Sequence, residues 1–311
     1  MRAPRSRAIL GCLAAAVSLV LLGPLSPVGA TFPGANGDIL YQRDSGFRTI
    51  APDGSGDHAY TSLPRHAQEV SYSSGGTKAA IIDYTRRGAR IVLLDLVNDT
   101  RSVVLPARRA PTEVLWSVAL SPHGTRVAFC DGTYPRHLYT IRADGTHLTK
   151  IARGYDDVDW GPTGRLAASH GIFAGDGERF IATMDPDGGN KTVIATFPPV
   201  KESWASVYEL VPSWAPDGRS VVFAAQRHRI VPDIWFVNSD GSRLHRLTRT
   251  PNEAESGALF SPDGTSIVFS KVKQDSTTTT DLWTMHADGA DKTRLTHTPA
   301  QHDYPVAWLP A

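Results

Sequence analysis

Trp214-Ala215-Pro216-Asp217-Gly218 and Phe260-Ser261-Pro262-Asp263-Gly264 are two copies of one phrase. Looser copies stand at Ser121-Pro122-His123-Gly124 and Gly161-Pro162-Thr163-Gly164, and a degenerate one at Ser73-Ser74-Gly75-Gly76. The glycines Gly76, Gly124, Gly164, Gly218 and Gly264 are 48, 40, 54 and 46 residues apart. A period in the forties with a turn inside each unit marks a propeller blade, in which one unit is one small sheet.

A second phrase alternates with the first: a strand that ends in an Asp-Gly turn. It reads LYTIRADG at 138–145, FIATMDPDG at 180–188, DIWFVNSDG at 233–241 and DLWTMHADG at 281–289. RTIAPDG at 48–54 is an earlier copy and IVLLDLVND at 91–99 a weaker one. Short apolar runs bounded by Gly, Asp and Asn are strands joined by tight hairpins, and Asp-Gly supplies the positive φ those turns need. One unit is therefore four strands, A to D. In the last full copy A is 258–260, B 266–271, C 282–286 and D 292–296, with a polar B–C connection at 273–280.

The mean period of 47 divides the 281 residues after position 30 into six units. The ends account for the sixth. Val306-Ala307-Trp308-Leu309-Pro310 is a strand A without its strand B, and residues 34–41 are a turn and a strand B without strand A. The two halves are expected to pair and seal the ring, which removes exposed sheet edges. The predicted fold is all-β: a single six-bladed propeller of four-stranded blades over residues 31–311.

Residues 1–30 read as a secretory signal peptide. Arg2, Arg5 and Arg7 precede an apolar run at 8–22, and Val28-Gly29-Ala30 has the small-residue pattern of a cleavage site. Fifteen apolar residues are short for a membrane span, which needs about 20. Cleavage changes the formal charge of +1 to −2 and leaves Cys130 as the one cysteine. Such a chain has no basic footprint for nucleic acid, no internal disulfide and no cysteine-based metal site. It is expected to be exported, to the periplasm or beyond the cell, as a monomer.

The repeat resembles the TolB-like, or WD40-like (PD40), propeller repeat. Trp214-Ala215-Pro216-Asp217-Gly218 leads to Asp233-Ile234-Trp235 and Leu247-Thr248, and Phe260-Ser261-Pro262-Asp263-Gly264 leads to Asp281-Leu282-Trp283 and Leu295-Thr296. The resemblance covers nearly all of the chain after residue 30 and is weakest over 66–105. It implies a six-bladed propeller, often exported, whose type member is a periplasmic protein that binds a lipoprotein. That member also carries an N-terminal α/β domain, for which this chain has no room. Similar propellers gate serine peptidases, and related ones act as lyases.

Signatures of enzyme chemistry are missing from the sequence. It has no Gly-x-Ser-x-Gly, no His-Glu-x-x-His, no phosphate-binding loop and no dinucleotide fingerprint. No cofactor is expected, and His228, His245, His286 and His297 are expected at the surface near turns. Asp185-Pro186-Asp187-Gly188-Gly189-Asn190 lacks the order of a calcium loop and reads as a turn. Trp160, Trp214, Trp235, Trp283 and Trp308 hold repeat positions and should pack between blades, whereas Trp116 and Trp204 are candidates for a surface.

Topology yields one candidate site. In a meandering blade the A–B and C–D turns share one face, and the D–A and B–C connections share the other. Strand A is innermost, so its first residue sits at the channel mouth on the second face. Counting five residues back from the aromatic before each turn phrase gives Glu209, Glu255 and Asp303. From Trp160 the count gives Tyr155, with Asp156 and Asp157 adjacent; Glu69 and Glu113 lie nearby, out of register. These acids are expected to form a negative funnel, with the B–C connections at 171–178 and 273–280, that takes a cation or a basic segment. The leading expectation is a non-catalytic scaffold recognising a protein, peptide or glycan. The alternatives are a lyase or lactone hydrolase with a divalent metal held by residues such as Glu209, Glu255 and Asp303 and a histidine base, and a gating module for a separate enzyme.

Overall fold

The computed structural model describes residues 32–44, 46–171, 178–198, 210–226, 231–273, 279–299 and 301–311. Residues 1–30, read above as a signal peptide, together with Glu209, Trp204, His228 and most of the connections at 171–178 and 273–280, lie outside the described residues. Within them, twenty-four strands form six four-stranded antiparallel sheets. Each sheet runs A-B-C-D in space, and the A strands of successive blades lie against one another around a closed circuit.

Blade 1 is the stitched one. Its strand A is Asp303–Pro310, paired with strand B at Asn36–Arg43, and strands C and D are Gly46–Ile50 and His58–Ala59. The A and B strands of the following blades are Ala67–Tyr72 and Lys78–Thr85, Leu115–Leu120 and Arg126–Asp131, Tyr155–Trp160 and Leu166–His170, Ser213–Trp214 and Ser220–Ala225, and Glu253–Phe260 and Ser266–Lys273. In blade 6, strand A starts five residues earlier than the apolar run announces. A register shift between Ser256 and Leu259 carries the strand past Gly257, as a bulge allows.

The turn phrase is a hydrogen-bonding device. In Ser261-Pro262-Asp263-Gly264 the Ser261 hydroxyl accepts the N–H of Ser266 at 2.9 Å, and Asp263 accepts the N–H of Thr265 at 2.9 Å. Ser121 and Ser73 do the same for Arg126 and Lys78. The closing Leu-Thr secures the next strand along. The hydroxyls of Thr248 and Thr296 accept the N–H groups of Ile234 and Leu282 at the start of strand C. Beside them Asp233 and Asp281 take Arg246 and Arg294 at 2.8 and 2.6 Å.

The core is six slabs, one per interface between blades. The residue before each A–B turn faces the preceding blade: Tyr72, Leu120, Trp160, Trp214, Phe260 and Trp308 each lie in the slab on that side. Trp235 joins Trp214 in one slab and Trp283 flanks another, so all five repeat tryptophans pack between blades. Gly289 of the C–D turn in blade 6 (φ +91°) shows how close the blades come. A Cβ there would lie 2.7 Å from the Leu247 carbonyl oxygen of blade 5.

The inner edge of the A strands is covered by side chains of the neighbouring blade. Ser71 accepts the N–H of Leu120 at 2.9 Å, Ser117 that of Val158 at 3.3 Å, and Asp159 that of Trp214 at 2.8 Å. Buried donors need partners, and here the blade alongside supplies them.

Candidate functional site

The count of five residues finds the correct end of the strands. Asp303 opposes Arg43, Tyr155 opposes His170 and Glu255 opposes Lys271, all at the junction of strand A's start with strand B's end. In blades 2 and 3 the acid sits on the other strand of the same pairs, as Asp83 opposite Ala67 and Asp131 opposite Leu115. A polar layer thus lies on the face made by the D–A and B–C connections in blades 1, 2, 3, 4 and 6.

Burial departs from the expected open funnel. Asp303, Glu255, Asp157, Asp156 and Glu69 are all buried, and of the expected set Glu113 alone among the described residues is exposed. Buried charge requires compensation, and basic groups provide it. Arg43 donates two bonds to Asp303, at 2.7 and 3.0 Å, and the Thr298 hydroxyl adds a third at 3.0 Å. Arg136 holds Asp156 at 3.1 Å. Arg90 and His66 hold Asp83, and His137 holds Asp131. Glu255 instead accepts the hydroxyl of Thr248, and burial pushes its carboxyl up to about 7. Burial likewise lifts Asp157 and Asp159 to about 7.

Glu209, one of the three acids named as metal ligands, lies outside the described residues. Both oxygens of Asp303 are occupied by Arg43, and among the described residues no group of three or more His, Cys, Asp or Glu side chains is placed to hold a metal ion. His245, His286 and His297 are exposed as expected. In the 185–190 turn the Asn190 amide donates to Asp185 at 2.6 Å. Cys130 is a buried free thiol whose pKa burial raises well above its ordinary value.

Between blades 3 and 4 the same face opens into a pocket of about 240 Å³. Tyr134, Pro135 and Arg136 come from the B–C connection of blade 3. Arg153, Gly154 and Asp156 come from the passage into blade 4, and His170 and Gly171 from the end of its strand B. Arg136 is held on three sides. Its guanidinium lies 4.0 Å from the Trp116 ring centre, it bonds Asp156, and its carbonyl accepts the N–H of Gly154 at 2.7 Å. Trp116 therefore serves as a platform beneath this pocket. His170 stacks on Phe180 at 4.4 Å and meets Tyr155 edge-on at 5.6 Å. Tyr134 is 62% exposed at the rim. Tyr84 and Val114, also exposed, lie on the blade 3 side of the same face, where Tyr84 donates to the Leu115 carbonyl and Val114 touches Gly132. Of the pocket's lining the sequence reading named Asp156 and, as the start of a B–C connection, Gly171; it missed the rest because those walls come from separate connections.

Residues 53–310 match the family described as PD40, TolB beta propeller domain. The chain belongs to the TolB β-propeller domain family. Among curated proteins it is similar to the Tol-Pal system protein TolB of Anaeromyxobacter dehalogenans (strain 2CP-C), with 31% identity over 151 residues. That match covers 43% of this chain and 32% of the relative, so the match spans about a third of the relative's length. Among solved structures, TolB from Acinetobacter baumannii superposes with a TM-score of 0.66 at 16% identity, covering 87% of this chain and 67% of that one. A structure described as oligogalacturonate lyase in complex with manganese superposes with a TM-score of 0.55 at 15% identity, covering 86% and 75%. At these identities the TolB and lyase structures show a shared fold. No helix among the described residues is long and apolar enough to cross a membrane.

Proposed function

We propose that this TolB-family propeller is an exported binding protein that holds a segment of a protein partner on the face of its D–A and B–C connections, and that it carries out no reaction itself. The observation that carries this reading is the pocket between blades 3 and 4, where the exposed Tyr134 adjoins a guanidinium fixed by Trp116 and Asp156. A concave site with aromatic walls and a few fixed polar groups suits recognition. The rigid ring lowers the entropic cost of holding a partner. The relative's name, Tol-Pal system protein TolB, supports placement in a cell-envelope assembly. Export would follow cleavage after Ala30, leaving a mature chain that begins at Thr31.

The metal-dependent reading has less support, since Asp303 and Glu255 are turned to Arg43 and Thr248. The test is affinity capture from an envelope extract of the source organism with immobilised wild type and Tyr134→Ala. We expect a protein retained by wild type and lost by the variant, with equal thermal stability of the two baits. Identical capture by both baits overturns the assignment of the face.

A further inference from the structure

On the described connections of blades 2 to 4 the exposed charges are the reverse of those in the layer beneath them. The acids are buried and compensated, and the exposed groups on the connections of blades 2 to 4 are mostly arginines. Arg65, Arg86, Arg87 and Arg153 are exposed there, against Glu113 and Glu178 among the described residues. Arg153 is the member on the pocket itself. It is the last residue of strand D in blade 3 (Thr149–Arg153), where its backbone pairs with His137. Its side chain has no ion-pair or hydrogen-bond partner among the described residues. Arg136, by contrast, is committed to Asp156 and Trp116. Among the described residues the pocket thus holds one spent guanidinium and one without a side-chain partner.

The backbone fixes where the second one stands. Gly154, next to Arg153, donates its N–H to the Arg136 carbonyl at 2.7 Å, which ties strand D to the B–C connection. Gly154 has φ +82°, and a Cβ there would lie 2.6 Å from Nε2 of His170. The glycine lets the histidine ring close one wall while Tyr134 stands on the opposite connection. A guanidinium at the edge of an aromatic pocket recognises a carboxylate through paired N–H donors. Tyr134 offers a flat amphipathic surface to an apolar neighbour of that carboxylate.

We propose that the pocket between blades 3 and 4 takes an acidic side chain from an extended segment of a partner protein, with Arg153 pairing the carboxylate and Tyr134 flanking it. This rests on the protein-binding reading above and reverses the charge expected of the partner. Positive potential around the mouth steers such a segment inward and repels basic ones.

The experiment uses three fluorescein-labelled peptides, Gly-Glu-Glu-Phe-Glu-Gly and its versions with Gln or Lys at every Glu, titrated by anisotropy against the whole protein. The acidic peptide should bind best. Arg153→Glu should weaken it by at least about tenfold, and Arg153→Lys should keep part of the affinity, because a charge-assisted pair is worth roughly one such decade. Arg153 is exposed, and thermal melts check that both variants fold. Equal binding of the Gln or Lys peptide, or indifference of the acidic peptide to Arg153→Glu, overturns the inference and leaves the protein-binding reading standing. Displacement of the acidic peptide by trigalacturonate, in wild type but not in Arg153→Glu, overturns it in favour of an anionic glycan. Failure of all three peptides while envelope capture succeeds also overturns it. Failure of both assays removes the underlying reading as well.

Discussion

Arg43 and Asp303 are 260 positions apart in the chain and meet in a two-pronged ion pair, at 2.7 and 3.0 Å, across the seam of blade 1. Near the other end of that seam the Trp308 indole donates to the Gly37 carbonyl and the Ala311 N–H donates to Ala35. The Asp303 side chain is fully buried, so removing Arg43 leaves an uncompensated charge, whereas Arg43 without Asp303 keeps a second partner, Asp57, at 3.1 Å. Arg43→Met should cost about 3–5 kcal/mol in urea unfolding. The double variant Arg43→Met/Asp303→Leu should lose less than Arg43→Met alone. An additive double mutant would show that the two side chains do not act as a pair.

Gly289 and Gly164 separate steric from conformational cost at a turn. Both have positive φ, but a Cβ at Gly289 would meet the Leu247 carbonyl oxygen at 2.7 Å, whereas Gly164 has nothing within 4 Å. Gly164→Ala should lose about 1 kcal/mol and Gly289→Ala about 2–3 kcal/mol. Thermal denaturation of the two variants side by side checks the difference.

Glu255, Asp157 and Asp159 should make the protein less stable as pH rises. Burial lifts Glu255 from 4.5 to about 7, so between those values the folded state binds a proton that the unfolded state has released. Its contribution is complete below pH 4.5 and is lost as pH climbs through 7. Glu255→Gln removes this titration and should raise stability at pH 8 by on the order of 3 kcal/mol, with little change at about pH 4. Urea unfolding at several pH values measures the slope, and an unchanged slope in the variant rejects the assignment.

Cys130 is fully buried in the slab between blades 3 and 4 and its thiol is held protonated. In a chain of residues 31–311, a disulfide reagent should leave the native protein unmodified at neutral pH and react with one thiol per chain in denaturant. Rapid labelling of the native state would contradict this burial.

Arg136→Lys keeps the charge but loses the flat contact with Trp116. It should lower stability by about 0.5–2 kcal/mol and shift the tryptophan emission. Unaltered emission would place Trp116 elsewhere.

The sequence carried the architecture because turn chemistry is local. Ser261, Asp263 and Gly264 complete their turn among themselves and their neighbours, so the phrase is readable without knowing what it packs against. Closure was legible for a similar reason, since 306–310 and 34–41 are each half of a known unit. Counting back from Trp308 and Phe260 located Asp303 and Glu255 at the correct end of their strands. It could not supply their partners. Arg43 comes from the opposite end of the chain, and Arg136 reaches Asp156 from the neighbouring blade. Acids seen without these bases look like an open negative ring. Of the pocket beside Arg153 only Asp156 and Gly171 were legible, because the other walls come from connections that carry no motif.

The hydroxyls of Ser71 and Ser117 and the carboxylate of Asp159 already receive the inward N–H groups of Leu120, Val158 and Trp214. In those blades the lumenal ladder is already interrupted at these positions, which disfavours lengthening of a sheet from the lumen. The partner segment proposed above would then be read there through its side chains more than through its extended backbone.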